Sequence, residues 1–295
     1  MTTHSSSPSR TQARSVGTGV VRRIIAAGTS IVAIGLAVAC SPAAPRTTRR
    51  PSTAPRKDDP VWHYEGAEGP EHWGALSPAF ADCGTGRNQS PVDLVPAASA
   101  PHPRAVTFQF PPASLRIAHH EHVADGINNG HTIQINYDDG DTLMLGDTPF
   151  ALVQYHFHDP SEHTVSGRRF PMEMHMVHRS ATGALAVVGV LIDRGHHNAA
   201  FDPVWTNLPT RKGVETHYEH VLVDVDALLP ASRASYRYHG SLTTPPCTEG
   251  VEWIVLGKPI ELDTPQLDAF SHLIHANARP VQPLHGRMVV SDTVH

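Results

Sequence analysis

Gln154-Tyr-His-Phe-His158, followed by Ser161-Glu-His-Thr-Val165 and Glu173-Met-His-Met-Val-His178, is the stretch on which the reading of this chain turns. His156 and His158 are two residues apart, and in a β-strand that step points both rings to one face. His175 follows in a second alternating segment, with Glu173 two residues before it on the same face. Three neutral imidazoles from two neighbouring strands suffice to hold one Zn²⁺ and leave a fourth tetrahedral position open, which is what separates a catalytic zinc site from a structural one. Gln154 precedes His156 by the same two-residue step. Gln154 and Glu173 therefore stand where each takes the second N–H of a ligating ring.

Around that stretch the chain has the composition of a folded domain. It has 295 residues, 40% hydrophobic and 17% charged, enough for one large domain or two small ones. The 26 Pro and 22 Gly, set between short alternating apolar segments, predict many turns and mostly β structure. Residues 1–57 carry nine Lys/Arg and no acidic residue, whereas the remainder carries 14 basic and 28 acidic residues. The folded part is acidic, which argues against a nucleic-acid partner.

The basic excess belongs to a leader and a tether. Residues 24–39 form an uncharged, mostly apolar run of 16, short for a membrane span, that ends in small residues before Cys40. Residues 1–39 read as an export signal peptide, and Leu36-Ala-Val-Ala-Cys40 resembles a bacterial lipobox, which implies cleavage before Cys40 and lipidation of its thiol. An uncleaved membrane anchor is the alternative, and Arg22-Arg23 leaves Sec and twin-arginine export both open. Either route places the domain outside the cytoplasmic membrane, on its outer face, in the periplasm or beyond. Residues 40–60 form a Pro/Arg-rich tether, and the domain proper spans 61–295. With Cys40 assigned to lipid, Cys83 and Cys247 remain as a disulfide pair in an exported chain, or else as two buried thiols.

Short strands are expected at 106–110, 115–118, 131–137, 142–145, 219–224, 236–241 and 250–256, with 184–193 as a buried central strand. The best helix candidate is 264–276, with Thr264 as N-cap and Pro265 at the first helical position.

Taken together, the histidine stretch, Asn88-Gln-Ser-Pro91, Asn128-Asn-Gly-His131, Tyr238-His-Gly-Ser-Leu-Thr-Thr-Pro-Pro246, Trp253-Ile-Val-Leu256 and Asn277-Ala-Arg-Pro280 resemble the α-class carbonic anhydrases, over roughly residues 62–290 and in that family's order. The resemblance implies an α+β, mostly β fold: a large, twisted, mostly antiparallel central sheet with short peripheral helices. It implies reversible hydration of CO₂ to bicarbonate and a proton by attack of zinc-bound hydroxide, with one Zn²⁺ on His156, His158 and His175 and with Gln154 and Glu173 behind the ligands. Thr243 resembles the residue that accepts from the hydroxide and donates to Glu162, and Thr244 a neighbour that contacts bicarbonate. His131 resembles the proton shuttle, with Asn129 and Gln134 beside the water chain. Val177, Val187, Leu242 and Trp253 match the apolar wall for CO₂, and His163 and His178 resemble buried structural histidines. Ala75 stands where a tyrosine touching the water network is expected, and Asp159-Pro160 makes a short loop to Glu162.

Two other classes compete with this one. A zinc-scavenging lipoprotein has no use for Thr243, Glu162 and His131. A cupin-like barrel with iron or manganese leaves the Thr-Thr-Pro-Pro segment unexplained. A weak esterase activity is compatible with zinc hydroxide. The expected partners are CO₂ and bicarbonate, with membrane contact only through the lipid, as a monomer or a dimer.

Overall fold

The computed structural model describes residues 60–95, 98–99, 106–109, 125–137, 141–217 and 221–292. The leader, Cys40, the tether up to residue 59, the strand expected at 115–118 and His119, His120 and His122 lie outside them.

The strands in chain order are β1 (Asp93–Leu94), β2 (Ala98–Ser99), β3 (Val106–Gln109), β4 (Asp125–Asn128), β5 (Ile133–Asn136), β6 (Thr142–Leu145), β7 (Thr148–His158), β8 (Thr164–Val165), β9 (Arg168–Arg169), β10 (Met172–Ser180), β11 (Leu185–Arg194), β12 (Glu215–His217), β13 (Ser235–Ser241), β14 (Glu249–Leu262) and β15 (Val290–Asp292). The α-helices are short: α1 (Trp73–Leu76), α2 (Asp82–Thr85), α3 (Asp202–Trp205) and α4 (Thr264–Ser271). Among the described residues, one sheet of twelve strands runs β12-β4-β5-β7-β10-β11-β14-β13-β15-β2, with β6 also on β7 and β3 on β6. Its joins are antiparallel except β11–β14 and β15–β2, which are parallel. The expected fold class, a large, mostly antiparallel sheet with short helices around it, is the one found.

Both faces of the sheet centre are buried. On one, Ile135, Tyr155, Phe157, Met174, Met176, Val188 and Val190 pack with Phe201 and with Leu267 and Phe270 of α4. Each such side chain contributes about 1.5–3 kcal/mol when fully removed from water. On the other, His156 lies opposite both Gln134 and His175, and His175 lies opposite Gly189. The next row places Gln154, Val177, Val187 and Trp253 in register across β7, β10, β11 and β14. A bulge makes this possible. Val177 pairs with Gln154, but His178 pairs with Leu152, so Val153 is extra. Phe150 and Leu152 before the bulge, and Tyr155 and Phe157 after it, therefore all reach the same core.

Several boundaries differ from the sequence reading. Helix α4 is capped by Asp263, not Thr264: the Asp263 carboxylate accepts from Gln266 N at 2.9 Å, and Gln266 Oε1 accepts from Asp263 N at 3.3 Å. A carboxylate able to form this reciprocal box outcompetes the next-door hydroxyl. The helix ends at Ser271. Strand β14 runs to Leu262, through Pro259, well past the expected residue 256. Residues 221–224 form no strand. Cys83 and Cys247 are joined as a disulfide across 164 residues of sequence. No helix among the described residues is long and apolar enough to cross a membrane.

Candidate metal centre and active site

Alternation along β7 and antiparallel pairing with β10 bring His156, His158 and His175 together, with one ring nitrogen from each within 4.8 Å of the others. Each ring has its other nitrogen against an oxygen. His156 Nδ1 meets Gln154 Oε1 at 2.8 Å, and His158 Nδ1 meets the Asn277 carbonyl at 2.9 Å. His175 Nε2 lies 3.0 Å from Glu173 Oε1, close but off the line of a regular hydrogen bond. This leaves His156 Nε2, His158 Nε2 and His175 Nδ1 for a common ligand. His158 Nε2 is buried with no partner at all, a costly state for a polar atom unless something binds there. Burial, reinforced by the other rings, drives the His156 pKa well below 6.5. Burial outweighs the carbonyl contact and Glu173 at His158 and, with His163, takes its pKa to about 4, and burial also lowers His175. The neutral form so favoured is the one that ligates metal.

Glu173 is buried and fully engaged. Its Oε2 accepts from the backbone N–H of Glu162 and His163 at 2.9 and 2.8 Å, and its Oε1 meets His163 Nδ1 at 2.7 Å. Burial opposes its ionisation, but His163 and His175 more than reverse this and hold its pKa well below 4.5. His163 reaches Tyr238 Oη at 2.7 Å, and Tyr238 donates to Ser90 Oγ at 2.8 Å.

Glu162 is the second buried carboxylate. Its Oε1 accepts from Arg279 N at 2.8 Å, and its Oε2 lies 3.8 Å from His175 Nδ1. Burial raises its pKa, partly offset by His175 and by the Thr243 hydroxyl. Thr243 thus acts on this carboxylate, although Oε2 has no partner in strict hydrogen-bond geometry. Thr244 turns its carbonyl to Cys247 N at 2.8 Å, which ties the loop to the disulfide. Beside the rings, Val187 and Trp253 are buried, Val177 and Leu242 pack on the same cluster, and the Trp253 ring centroid stands 4.8 Å from that of His175.

His131 lies at the rim, half-buried, its ring stacked on Trp62 with centroids 3.8 Å apart. Asn129 Oδ1 accepts from the N–H of His131 and of Thr132 at 2.9 and 2.8 Å, so its carbonyl oxygen holds the turn. Gln134 donates to Asn136 Oδ1 at 2.6 Å.

Sequence reasoning missed four participants. Asn277 serves His158 through its backbone carbonyl, which no side-chain pattern announces; its side chain also accepts from Asp159 N and donates to His131 O and Phe157 O. Arg279, 1% exposed, donates to Gln89 Oε1, Ser90 O and Cys83 O as well as to Glu162. Both lie in the Asn277-Ala-Arg-Pro280 motif, whose local pattern does not announce these contacts. Tyr64 and Trp62 are the others. Tyr64, not Ala75, brings a tyrosine beside His131: its ring lies 6.3 Å away, and its pKa is raised by burial and by Glu162.

A profile of the eukaryotic-type carbonic anhydrases matches residues 68–293. The chain belongs to the α-carbonic anhydrase family. It is 41% identical over 240 residues to a carbonic anhydrase of Pectobacterium atrosepticum, covering 81% of this chain and 93% of that one. It is 44% identical over 236 residues to a carbonic anhydrase of Klebsiella pneumoniae, covering 78% and 90%. Among solved structures, the α-carbonic anhydrase of Thermovibrio ammonificans bound to the inhibitor sulfanilamide is 40% identical, with a TM-score of 0.70, over 79% of this chain and 99% of that one. This protein is accordingly a carbonic anhydrase, whose substrate pair is CO₂ and bicarbonate, and the cupin and metal-scavenging readings fall away.

Proposed function

We propose that this carbonic anhydrase works with one zinc ion held by His156, His158 and His175. The observation that carries the reading is the convergence of three ring nitrogens within 4.8 Å while each ring's other nitrogen faces an oxygen. Zinc at such a site supplies an acidified water, and with it a nucleophile at neutral pH, a chemistry for which carbonic anhydrase is itself the reference case.

The protein's own groups do the rest. Gln154, the Asn277 carbonyl and Glu173 hold the ring orientations from behind. Arg279 N anchors one oxygen of Glu162 and leaves the other to Thr243. A carboxylate only accepts, so a Thr243 hydroxyl bound to it donates there and turns its lone pairs to the cavity. Thr243 then selects a hydroxyl donor at the site and aims its free lone pair at the carbon. Val177, Val187, Leu242 and Trp253 form the dry wall against which an apolar CO₂ rests. Thr244 contacts bicarbonate, and His131 passes the released proton outward.

We assign residues 1–39 as the export signal, Cys40 as the lipid attachment point and residues 61–295 as the catalytic domain; the Cys83–Cys247 bond supports an oxidising compartment. The decisive experiment is stopped-flow CO₂ hydration by the purified chain, before and after zinc chelation. Loss with the chelator and recovery with added zinc are expected, and chelator-insensitive hydration would reject the mechanism.

A further inference from the structure

The His131 ring is not isolated at the rim of the site. The segment Trp62-His63-Tyr64 wraps around that ring: Trp62 stacks on it, the His63 ring centroid lies 6.0 Å away, and Tyr64 lies 6.3 Å away. The segment is pinned through its backbone. His63 N donates to Glu68 O at 2.8 Å, and Trp73 Nε1 donates to His63 O at 2.8 Å. Neither bond uses the His63 ring, which is left exposed at the wall of a cavity of about 870 Å³. Glu65, Lys212 and His275 line the same cavity, and the Lys212 stem lies across Gly130, beside His131.

In this position His131 is a poor place to keep a proton. Burial, then Lys212, then His63 lower its pKa from 6.5 to about 4. Such a ring sheds a proton far more readily than it stores one, so the rate of escape depends on an acceptor beside it.

We propose that His63 is the second imidazole of the proton exit, taking each proton from His131 across an intervening water and handing it to buffer. The step balances without electron transfer. The N–H bond of His131 imidazolium breaks, its proton goes to the water, and another proton of that water forms an N–H bond on His63. Buffer base then removes a proton from His63, and both rings return neutral. A centroid separation of 6.0 Å is too long for a direct bond and suits one bridging water. The inference rests on the hydration chemistry proposed above, which releases one proton per turnover.

The test uses the zinc-loaded full chain as wild type, His63→Ala, His63→Gln and His131→Ala. Stopped-flow hydration is measured in weak and strong buffer, together with ¹⁸O exchange between CO₂ and water. Both His63 variants are expected to lower kcat in weak buffer by about three- to tenfold and to slow ¹⁸O-water release in parallel. Their kcat/KM, which reports only attack on CO₂, stays at the wild-type value, and added imidazole restores kcat. A structural role would instead lower kcat/KM or the melting temperature and resist imidazole, and that result overturns the proposal. It is equally overturned if both His63 variants match wild type in weak buffer while His131→Ala is slow. If wild-type hydration itself ignores zinc removal, the underlying chemistry fails, and that outcome is recognisable before any variant is compared.

Discussion

The Glu173 carboxylate reaches diagonally from β10 over Gly189 of β11, the residue opposite His175, and a Cβ on Gly189 would stand 3.0 Å from Glu173 Oε1 and 3.2 Å from a Val255 methyl. The missing side chain is the space in which the carboxylate lies. That carboxylate serves His175, His163 and two backbone N–H groups at once. Gly189→Ala should displace it by a few tenths of an ångström and weaken zinc retention by about tenfold, the scale of lost support behind a metal ligand. Competition with a chromophoric chelator reads this directly. Unchanged zinc affinity would mean that Val255 yields instead.

Thr243→Ala should lower kcat/KM by about 10²-fold while leaving bound zinc at one per chain, because Thr243 aims the nucleophile without ligating the metal. Thr243→Ser keeps the hydroxyl and should recover most of the loss. Zinc analysis beside stopped-flow kinetics separates the effects, and a threonine variant that loses metal would contradict the assigned role.

His178 gives a pH signature distant from the chemistry. It is buried, with Nδ1 against the Met176 carbonyl at 2.9 Å, and burial takes its pKa from 6.5 to about 4. As pH falls from 6.5 toward 4, the unfolded chain protonates this ring before the folded one does, so stability declines through that window, by at most about 3 kcal/mol. His178→Gln should flatten this part of the curve, whatever its effect on stability at neutral pH. Urea unfolding between pH 6.5 and pH 4 measures the slope, and an unaltered slope would assign the acid loss to other groups.

The disulfide closes a loop of 164 residues of sequence separation. Constraint of the unfolded chain alone assigns it about 4–5 kcal/mol. The double variant Cys83→Ser, Cys247→Ser should lower the unfolding free energy by an amount of that order, seen as an earlier denaturation midpoint in urea. No shift would show that the reduced chain already holds these segments together.

What the sequence made legible was whatever depends on period and spacing. The two-residue steps at Gln154, His156 and His158 and at Glu173, His175 and Val177 reach one face because β geometry leaves no other option. Strand β6 falls at the expected 142–145 for the same reason. What stayed hidden depends on tertiary reach. The carbonyl of Asn277 meets a ring 119 residues away, and the backbone N–H of Arg279 meets Glu162 at a separation of 117. No local pattern encodes such contacts. Trp62 and Tyr64 carry no spacing that ties them to His131, and only the fold lays them against its ring. The helix cap falls one residue before the expected Thr264 because Asp263 and Thr264 both suit that role, and only the reciprocal bond with Gln266 selects between them.

The additional residue at Val153 works as a change of phase within one strand. Upstream of it, even-numbered positions such as Phe150 and Leu152 enter the core; downstream, odd-numbered Tyr155 and Phe157 do. Removing that residue would leave plain alternation through the strand, with Leu152 and Tyr155 two apart on the core face and His156 and His158 still on the opposite one. The ligand pair is thus insulated from a one-residue loss at this point, and a chain lacking Val153 should still take up zinc, as metal analysis would read.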